Sequence, residues 1–358
     1  MAFLDIKNVR IAGMATAVPK NVIRNKDMMR SSNETDIDNF IEQIGISERR
    51  HSSVLTAADL QVAAAERMLA DLGWEKESID AIICVNVTSD YPLPINACLI
   101  QDRLGLSKEC YAQDISMGCS GWVYGLSVLA TLMRDGDVKR GLLLVGESKM
   151  EWGKDRNALL FGHASCVTAL EYEPGNEGFR FNMGTDGSGY DVVIMPNSGI
   201  RNMKYDEELI KEFENPEKQY SVEAKMKNLD VFAFSATRVP KTIDELCGHY
   251  GIDYKKCDYL VLHQANRSIN KHIAKKLGVG PEVAISSIEK FGNTLSASIP
   301  ITITTQLKGK IEGKTTPFIC CGFGVGLSWG TVSFTTKDIV ISDLVEVDDN
   351  QFENLTWV

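Results

Sequence analysis

The chain has 358 residues, of which 44% are apolar and 24% charged, and its formal net charge is −10. This composition is typical of a globular protein with one large domain or two packed halves, and it excludes a disordered, fibrous or membrane-spanning chain. The negative charge argues against nucleic acid as the main partner, because phosphate binding needs a concentrated lysine and arginine surface.

The first ten residues interleave charged and apolar side chains, and no later apolar run is long enough to cross a membrane. We therefore expect a cytoplasmic protein. Its nine cysteines form no C-x-x-C pair, which argues against a metal site. In a reducing compartment most of them are expected to be small buried hydrophobic residues.

Helices and strands are predicted to alternate along the chain. Apolar residues repeat at spacing four through residues 57–72, which predicts a helix. Short apolar runs with the character of buried strands occur at 81–87, 141–146, 259–263 and 317–321. The alternation favours an α/β sheet with crossover helices.

The two halves of the sequence repeat one pattern. Residues 68–85 and 246–263 each end a helix, turn at a glycine (Gly73 or Gly251), pass an aspartate and enter a strand. A duplicated βαβ half is expected to place its active site where the halves meet. We predict an N-terminal half at 1–175 and a C-terminal half at 176–337.

Two segments are predicted to lie outside these halves. Residues 201–228 are polar and carry charges of both signs, so an exposed helical excursion or cap is expected there. Residues 338–358 are predicted to form an acidic C-terminal tail at the surface.

A candidate nucleophile lies in the stretch D-I-S-M-G-C-S-G-W at 114–122, which an apolar helical stretch follows. A short strand is expected to turn through Gly118 into a helix whose first turn holds Cys119. Unpaired N–H groups and the positive end of the helix dipole favour thiolate over thiol there. The same pattern also fits a buried cysteine beside a helix start.

Three more stretches carry polar or glycine-rich signals. H-Q-A-N at 263–266 follows an apolar strand, where α/β active sites form, although a lone histidine is often structural. F-G-N-T at 291–294 presents an amide donor after a turn. The loop C-G-F-G-V-G-L-S-W-G at 321–330 lacks the spacing of a phosphate loop, and its glycines favour close packing or oxyanion contacts.

Taken together, these four stretches resemble the beta-ketoacyl-acyl-carrier-protein synthase III family over residues 7–335. The resemblance implies an α/β, thiolase-like fold with a duplicated five-layered αβαβα architecture. It implies that Cys119 is the nucleophile and that His263 and Asn293 hold the malonyl carbonyl. It also implies an oxyanion hole made by the backbone N–H groups of Cys119 and Val325.

The implied reaction is a decarboxylating Claisen condensation of an acyl thioester with malonyl-acyl carrier protein. The product is a 3-oxoacyl thioester for fatty acid or related biosynthesis. Neutral donors at His263 and Asn293 would stabilise the enolate without a metal, so no cofactor is expected. Two alternatives remain: a Cys119-dependent acyltransferase acting on an oxygen or nitrogen nucleophile, and a non-catalytic scaffold.

The resemblance also implies residues that contact the acyl donor. It places Leu93 of one chain at the acyl pocket of its partner, which implies a homodimer, and Leu93 stands where the family has a phenylalanine. Arg156 resembles an arginine of the family's adenine clamp, with coenzyme A as one candidate carrier. Phe161 and Phe323 are expected to contact substrate, and His163 is either a second acid/base or structural.

Positive charges after the His263 loop suggest a partner surface. Arg267, Lys271 and Lys275 recur every four residues, so a helix would present them as one stripe, with Lys276 beside it. The family docks its acidic carrier protein on this helix. The alternative is an ordinary solvated face.

Overall fold

The computed structural model describes residues 2–28, 34–148, 156–195 and 224–352. Its strands are β1 Ala2–Ile6, β2 Val9–Pro19, β3 Val22–Arg24, β4 Glu48–Arg50, β5 Ala81–Asn86, β6 Tyr111–Ser116, β7 Arg140–Glu147, β8 Ala164–Tyr172, β9 Phe179–Thr185, β10 Val193–Ile194, β11 Lys225–Met226, β12 Tyr259–Leu262, β13 Thr316–Gly324, β14 Ser328–Thr336, β15 Val340–Ile341 and β16 Val345–Val347. Its α-helices are α1 Asn25–Met28, α2 Glu34–Ile44, α3 Ala57–Leu72, α4 Asn96–Leu104, α5 Gly121–Met133, α6 Asn228–Tyr250, α7 Arg267–Leu277, α8 Ile288–Phe291 and α9 Ser298–Leu307.

Two large sheets alternate with three helical layers. The first sheet has the order β15-β2-β8-β7-β5-β6, with β16 also paired to β2, and the second has the order β1-β9-β14-β13-β12. Helices α5 and α9 contact both sheets from the space between them. Helices α3 and α4 pack outside the first sheet, and α6 and α7 outside the second. The predicted five-layered αβαβα, thiolase-like architecture is confirmed.

The central layer holds the main hydrophobic core. Helix α5 is apolar on nearly all sides, so it suits a position between two sheets. Trp122 on this helix is buried against Phe334, while Phe318 and Phe334 stack with ring centroids 5.2 Å apart. Burying each such ring stabilises the fold by about 2–3 kcal/mol, which fixes the start of α5 relative to both sheets.

The internal repeat is present in three dimensions. Helix α3 ends at Gly73 (φ 62°) and α6 ends at Gly251 (φ 66°), both in the left-handed region that glycine tolerates. After each glycine a short 3-10 turn leads into a buried strand, β5 in the first half and β12 in the second. The bounds predicted for the first helix, 57–72, are those of α3.

Each end of the chain joins the sheet of the opposite half. Strand β1 pairs antiparallel with β9 of the second sheet, and β15 and β16 pair parallel with β2 of the first. The predicted acidic tail therefore needs a correction over residues 340–347, where apolar residues interleave with the acids and Val347 is buried. Its acids pair with basic side chains, as Glu346 does with Arg50 at 2.5 Å.

The predicted boundary between the halves stays a prediction. Most of the predicted polar excursion, residues 201–223, lies outside the described residues. No helix within the described ranges has the length and apolar character that crossing a membrane requires.

Candidate active site

A cavity of about 320 Å³ opens between the two halves, and we name it the catalytic cavity. Cys119 reaches it from the turn before α5, His263 from the residue after β12, and Asn293 from the turn after α8. The structure thus brings together three residues that are far apart in the sequence. The other residues that line the catalytic cavity include Phe40, Ile44, Leu160, Phe161, Leu229, Phe232, Asn266, Phe323, Gly324 and Val325.

Cys119 lies half-buried two residues before the start of α5. Burial raises the pKa of its thiol to about 12, and the nearby Glu147 carboxylate acts in the same direction. Hydrogen bonds from the backbone N–H groups of Val325 and Cys119 lower the pKa, as the positive end of α5 also does. The thiolate preference expected from the helix start is therefore outweighed by burial.

The glycine-dense loop approaches Cys119 more closely than a side chain would allow. A Cβ atom added at Gly324 would lie 2.7 Å from the Cys119 Cβ and 3.0 Å from its Sγ. Positive φ falls on the glycines on either side, Gly324 (φ 158°) and Gly326 (φ 142°), whereas Val325 does not have positive φ. The β-branched residue in this loop is therefore unstrained, and its N–H still points at the thiol.

His263 is buried at the end of β12, and its backbone N–H donates to the Cys321 carbonyl at 2.8 Å. Its ring meets the Phe323 ring edge-on, with centroids 5.4 Å apart. Burial lowers the pKa of His263 to about 3, partly opposed by a hydrogen bond to the Leu295 backbone. The imidazole is therefore neutral at physiological pH and can donate one N–H without carrying a charge.

Asn293 is held by its own backbone and by the next turn. Its Oδ1 accepts the Leu295 N–H at 2.9 Å, and its backbone N–H donates to the Leu160 carbonyl at 2.8 Å. Among the described residues its Nδ2 has no hydrogen-bond partner, so the amide can donate to a molecule in the cavity. Gly292 is needed before it, because an added Cβ would lie 2.7 Å from the Leu160 carbonyl oxygen.

The predicted substrate-binding residues fall into three groups. Phe161 and Phe323 line the catalytic cavity. Leu93 does not line the cavity of its own chain and is 82% exposed. The side chain of Arg156 lies outside what the structure describes.

His163 has a structural environment away from the catalytic cavity. Its Nδ1 accepts the Ser52 N–H at 3.2 Å, and its ring stacks on His51 with centroids 4.5 Å apart. These contacts fix the loop after β4 against β8. They favour the structural alternative over a second acid/base.

The predicted carrier-docking residues do not form one free stripe. Arg267 donates to the Gly45 carbonyl at 3.4 Å and pairs with Glu289 at 3.7 Å, and Lys276 donates to the Ala236 carbonyl at 3.2 Å. Lys271 and Lys275 are exposed and have no ion pair with any described residue. The equal spacing in the sequence did not reveal that the flanking cations bind the protein's own backbone.

Arg49 is a functional neighbour that the sequence reasoning missed. It is 3% exposed and donates to the Phe161 carbonyl at 2.7 Å and to Asn25 Oδ1 at 2.8 Å. Burial lowers its pKa to about 10. Its contacts hold the segment that carries Phe161 and packs on Gly292, so Arg49 supports one wall of the cavity. No local signal distinguished it from the neighbouring Arg50.

The mouth of the cavity is formed by the first turns of α6, which the sequence reasoning also missed. Leu229 and Phe232 line it and are 84% and 39% exposed. Their spacing of three is typical of a helix, but the predicted helical excursion or cap was limited to residues 201–228, so neither residue was singled out.

Comparison with known proteins agrees with this site. Two family models match, described as 3-Oxoacyl-[acyl-carrier-protein (ACP)] synthase III over residues 113–187 and as its C-terminal part over 247–336. The beta-ketoacyl-[acyl-carrier-protein] synthase III of Clostridium tetani is 33% identical, over 90% of this chain and 97% of that protein. The chain belongs to the synthase III family. It is therefore an acyl-transferring condensing enzyme.

Further synthase III relatives cover nearly the whole chain. That of Symbiobacterium thermophilum is 31% identical over 92% of this chain and 98% of its own length. A crystal structure of a 3-oxoacyl-(acyl-carrier protein) synthase from Burkholderia xenovorans LB400 is 34% identical and superposes with a TM-score of 0.89. It covers 97% of this chain and 99% of its own.

Proposed function

We propose that this synthase III joins an acyl group carried on Cys119 to a malonyl group carried on acyl carrier protein, with loss of carbon dioxide. The observation that carries the proposal is that Cys119, His263 and Asn293 line one cavity beside two backbone N–H donors. The product is a 3-oxoacyl thioester, as fatty acid or related biosynthesis requires.

The first step moves the acyl group to the enzyme. The Cys119 sulfur attacks the thioester carbonyl, and its proton passes to the departing carrier thiolate. The oxygen of the tetrahedral intermediate becomes negative within reach of the N–H groups of Val325 and Cys119, which already point at the sulfur. The intermediate collapses to acyl-Cys119 and a free carrier thiol.

The second step forms the carbon–carbon bond. The malonyl carboxylate leaves as carbon dioxide, and its bonding electrons become an enolate whose oxygen accepts hydrogen bonds from His263 and Asn293. Both donors are neutral, because the pKa of His263 is lowered to about 3 and an amide does not titrate. The enolate carbon attacks acyl-Cys119, and the sulfur leaves as the thiolate.

The roles are tested by separating the two steps. We expect Cys119→Ala to lose acyl labelling by a short acyl thioester, while His263→Ala and Asn293→Ala keep labelling and lose carbon dioxide release by about 100-fold or more. Intact-protein mass and trapped labelled carbon dioxide measure the two steps. A thioester is preferable to iodoacetamide, because Cys98 is more exposed than Cys119 and could be alkylated as well. Labelling without carbon dioxide release in wild type would favour transfer to an oxygen or nitrogen nucleophile.

We also propose that the enzyme is a homodimer in which Leu93 contacts the partner's acyl pocket. Leu93 is exposed to an extent unusual for a leucine, and β6 lies at the edge of the first sheet with Tyr111 46% exposed. A dimer is expected by light scattering at micromolar concentration. A monomer there would contradict the proposal.

Carrier docking is proposed for Lys271 and Lys275, because these two cations are exposed on α7, whose first turn reaches the catalytic cavity through Ser268 and Ile269, and the rest of the enzyme is acidic. We expect the pair Lys271→Glu and Lys275→Glu to raise KM for carrier-bound malonate about tenfold and to spare acylation by a small thioester. The matched control is Lys310→Glu with Lys314→Glu, two exposed lysines after α9. Equal KM values for the two double variants would place docking elsewhere.

A further inference from the structure

A second cavity of about 520 Å³ lies on the outer side of α7 and shares no lining residue with the catalytic cavity. We define the second cavity as the space between α7, the end of β12 and the loop 278–289. Its lining consists mainly of apolar side chains, namely Leu260, Leu262, Ala274, Val279, Pro281, Ala284, Ile285 and Ile288. A cavity of this size and character is typical of a small-molecule site.

The polar groups of the lining are mostly used by the protein itself. Asn270 donates from Nδ2 to the His263 carbonyl at 3.1 Å, and Ser286 donates to Gln264 Oε1 at 2.6 Å. The Oδ1 of Asn270 is buried and has no hydrogen-bond partner among the described residues. Glu289, the one acid of the lining, pairs with Arg267 at 3.7 Å. A ligand body lying in this space would therefore meet mainly apolar atoms, with the Asn270 Oδ1 as a free acceptor, which favours an alkyl chain over a sugar or nucleotide.

Two lysine side chains place positive charge at one side of the second cavity. Lys271 and Lys275 are one helical turn apart on α7, line the cavity and are exposed. Neither has an ion pair with any residue that the structure describes, so each can neutralise an anion of a ligand. The chemistry that fits both features is an apolar chain with one anionic group at its end.

We propose that the second cavity binds the anion of a fatty acid. Its alkyl chain lies against Leu260, Leu262 and Ile288, and its carboxylate lies between Lys271 and Lys275. The site is separate from Cys119, and binding there forms and breaks no covalent bond. It does not depend on the catalytic roles proposed above. It is also separate in kind from carrier docking, because it requires the apolar interior as well as the two lysines.

Isothermal titration with dodecanoate tests the proposal on the full chain. We expect saturable binding of one molecule to the second cavity, with dodecan-1-ol binding at least about tenfold more weakly because it lacks the charge. Dodecyltrimethylammonium, with the same chain and the opposite charge, is expected not to bind. Affinity for dodecanoate should fall as salt is added.

Two kinds of variant locate the ligand. Ala274→Phe fills the cavity from α7, and Ala284→Phe fills it from the opposite loop, so each should abolish binding independently. Thermal unfolding shows whether each variant is folded, and if one variant is not, the other is used to test the proposal. Lys271→Glu with Lys275→Glu should weaken binding about tenfold or more, while the control Lys310→Glu with Lys314→Glu should not.

Three outcomes would overturn the proposal. The first is the absence of saturable dodecanoate binding. The second is binding that persists in folded Ala274→Phe and Ala284→Phe, since the molecule would then occupy the catalytic cavity or another surface. The third is equal affinity for dodecanoate and dodecan-1-ol, since the two lysines would then play no part.

Discussion

Replacing Gly324 by alanine should disable Cys119 while leaving the fold intact. The added Cβ would lie 2.7 Å from the Cys119 Cβ, whereas unstrained carbon atoms lie about 3.5–4.0 Å apart. The loop or the cysteine must therefore shift by about 1 Å. A shift of this size takes the Val325 N–H out of hydrogen-bonding range of the thiol and of the developing oxyanion.

Losing one oxyanion donor costs about 3–4 kcal/mol, which corresponds to a fall of about 100- to 1,000-fold in the rate of acylation. The assay is the growth of acyl-enzyme mass after mixing with a short acyl thioester. The matched control is Gly248→Ala, because a Cβ added there in α6 meets nothing within 4 Å. Alanine in that helix should even stabilise the fold by about 1 kcal/mol. A folded Gly324→Ala enzyme acylated at the wild-type rate would refute the proposed oxyanion hole.

Three further predictions concern the acyl pocket, the histidine and the buried arginine. Leu93→Phe should shorten the acyl chain that the dimer accepts, since the ring would fill the partner's pocket, and an unchanged chain-length profile would place the gate elsewhere. Because the pKa of His263 is about 3 in the folded enzyme and about 6.5 when unfolded, its contribution to stability is full above pH 6.5 and is lost as pH falls toward 3. Between pH 7.5 and 4.5 wild type should lose about 3 kcal/mol more of its unfolding free energy than His263→Gln in urea titrations, and parallel losses would show that the imidazole is not buried neutral. Arg49→Met should cost about 2–4 kcal/mol, because the Phe161 carbonyl and Asn25 Oδ1 lose their donor, and an unchanged denaturation midpoint would contradict that role.

Local patterns in the sequence predicted the parts of this molecule that depend on near neighbours. Apolar spacing predicts the bounds of α3, and Gly73 and Gly251 predict the repeat; the structure adds a Thr56–Asp59 capping box at the start of α3. The family stretches singled out Cys119, His263 and Asn293, although their roles stay proposals.

Features set by distant parts of the chain could not be predicted in this way. The pKa of Cys119 illustrates this limit, because its helix position is local whereas the burial that outweighs it comes from the loop around Gly324. The environment of the lysine and arginine side chains on α7 could not be predicted either. Whether Arg267 is free depends on Gly45 and Glu289, which lie far from it in the sequence.

Burial keeps Cys119 and His263 uncharged in the resting site, and this suits both steps of the proposed mechanism. It raises the pKa of Cys119 and lowers that of His263, so both groups are neutral before substrate arrives. In the proposed mechanism an acyl chain then enters without separating an ion pair, and negative charge develops on the oxyanion, the enolate and the departing thiolates. The proposed donors for these charges lie on the turn before α5, the loop that carries Val325, the end of β12 and the Asn293 turn, so little reorganisation is needed when the charge appears. Cys119, His263 and Asn293 each lie next to the end of a separate helix or strand, and this placement brings them to one cavity in the arrangement that the proposed mechanism needs.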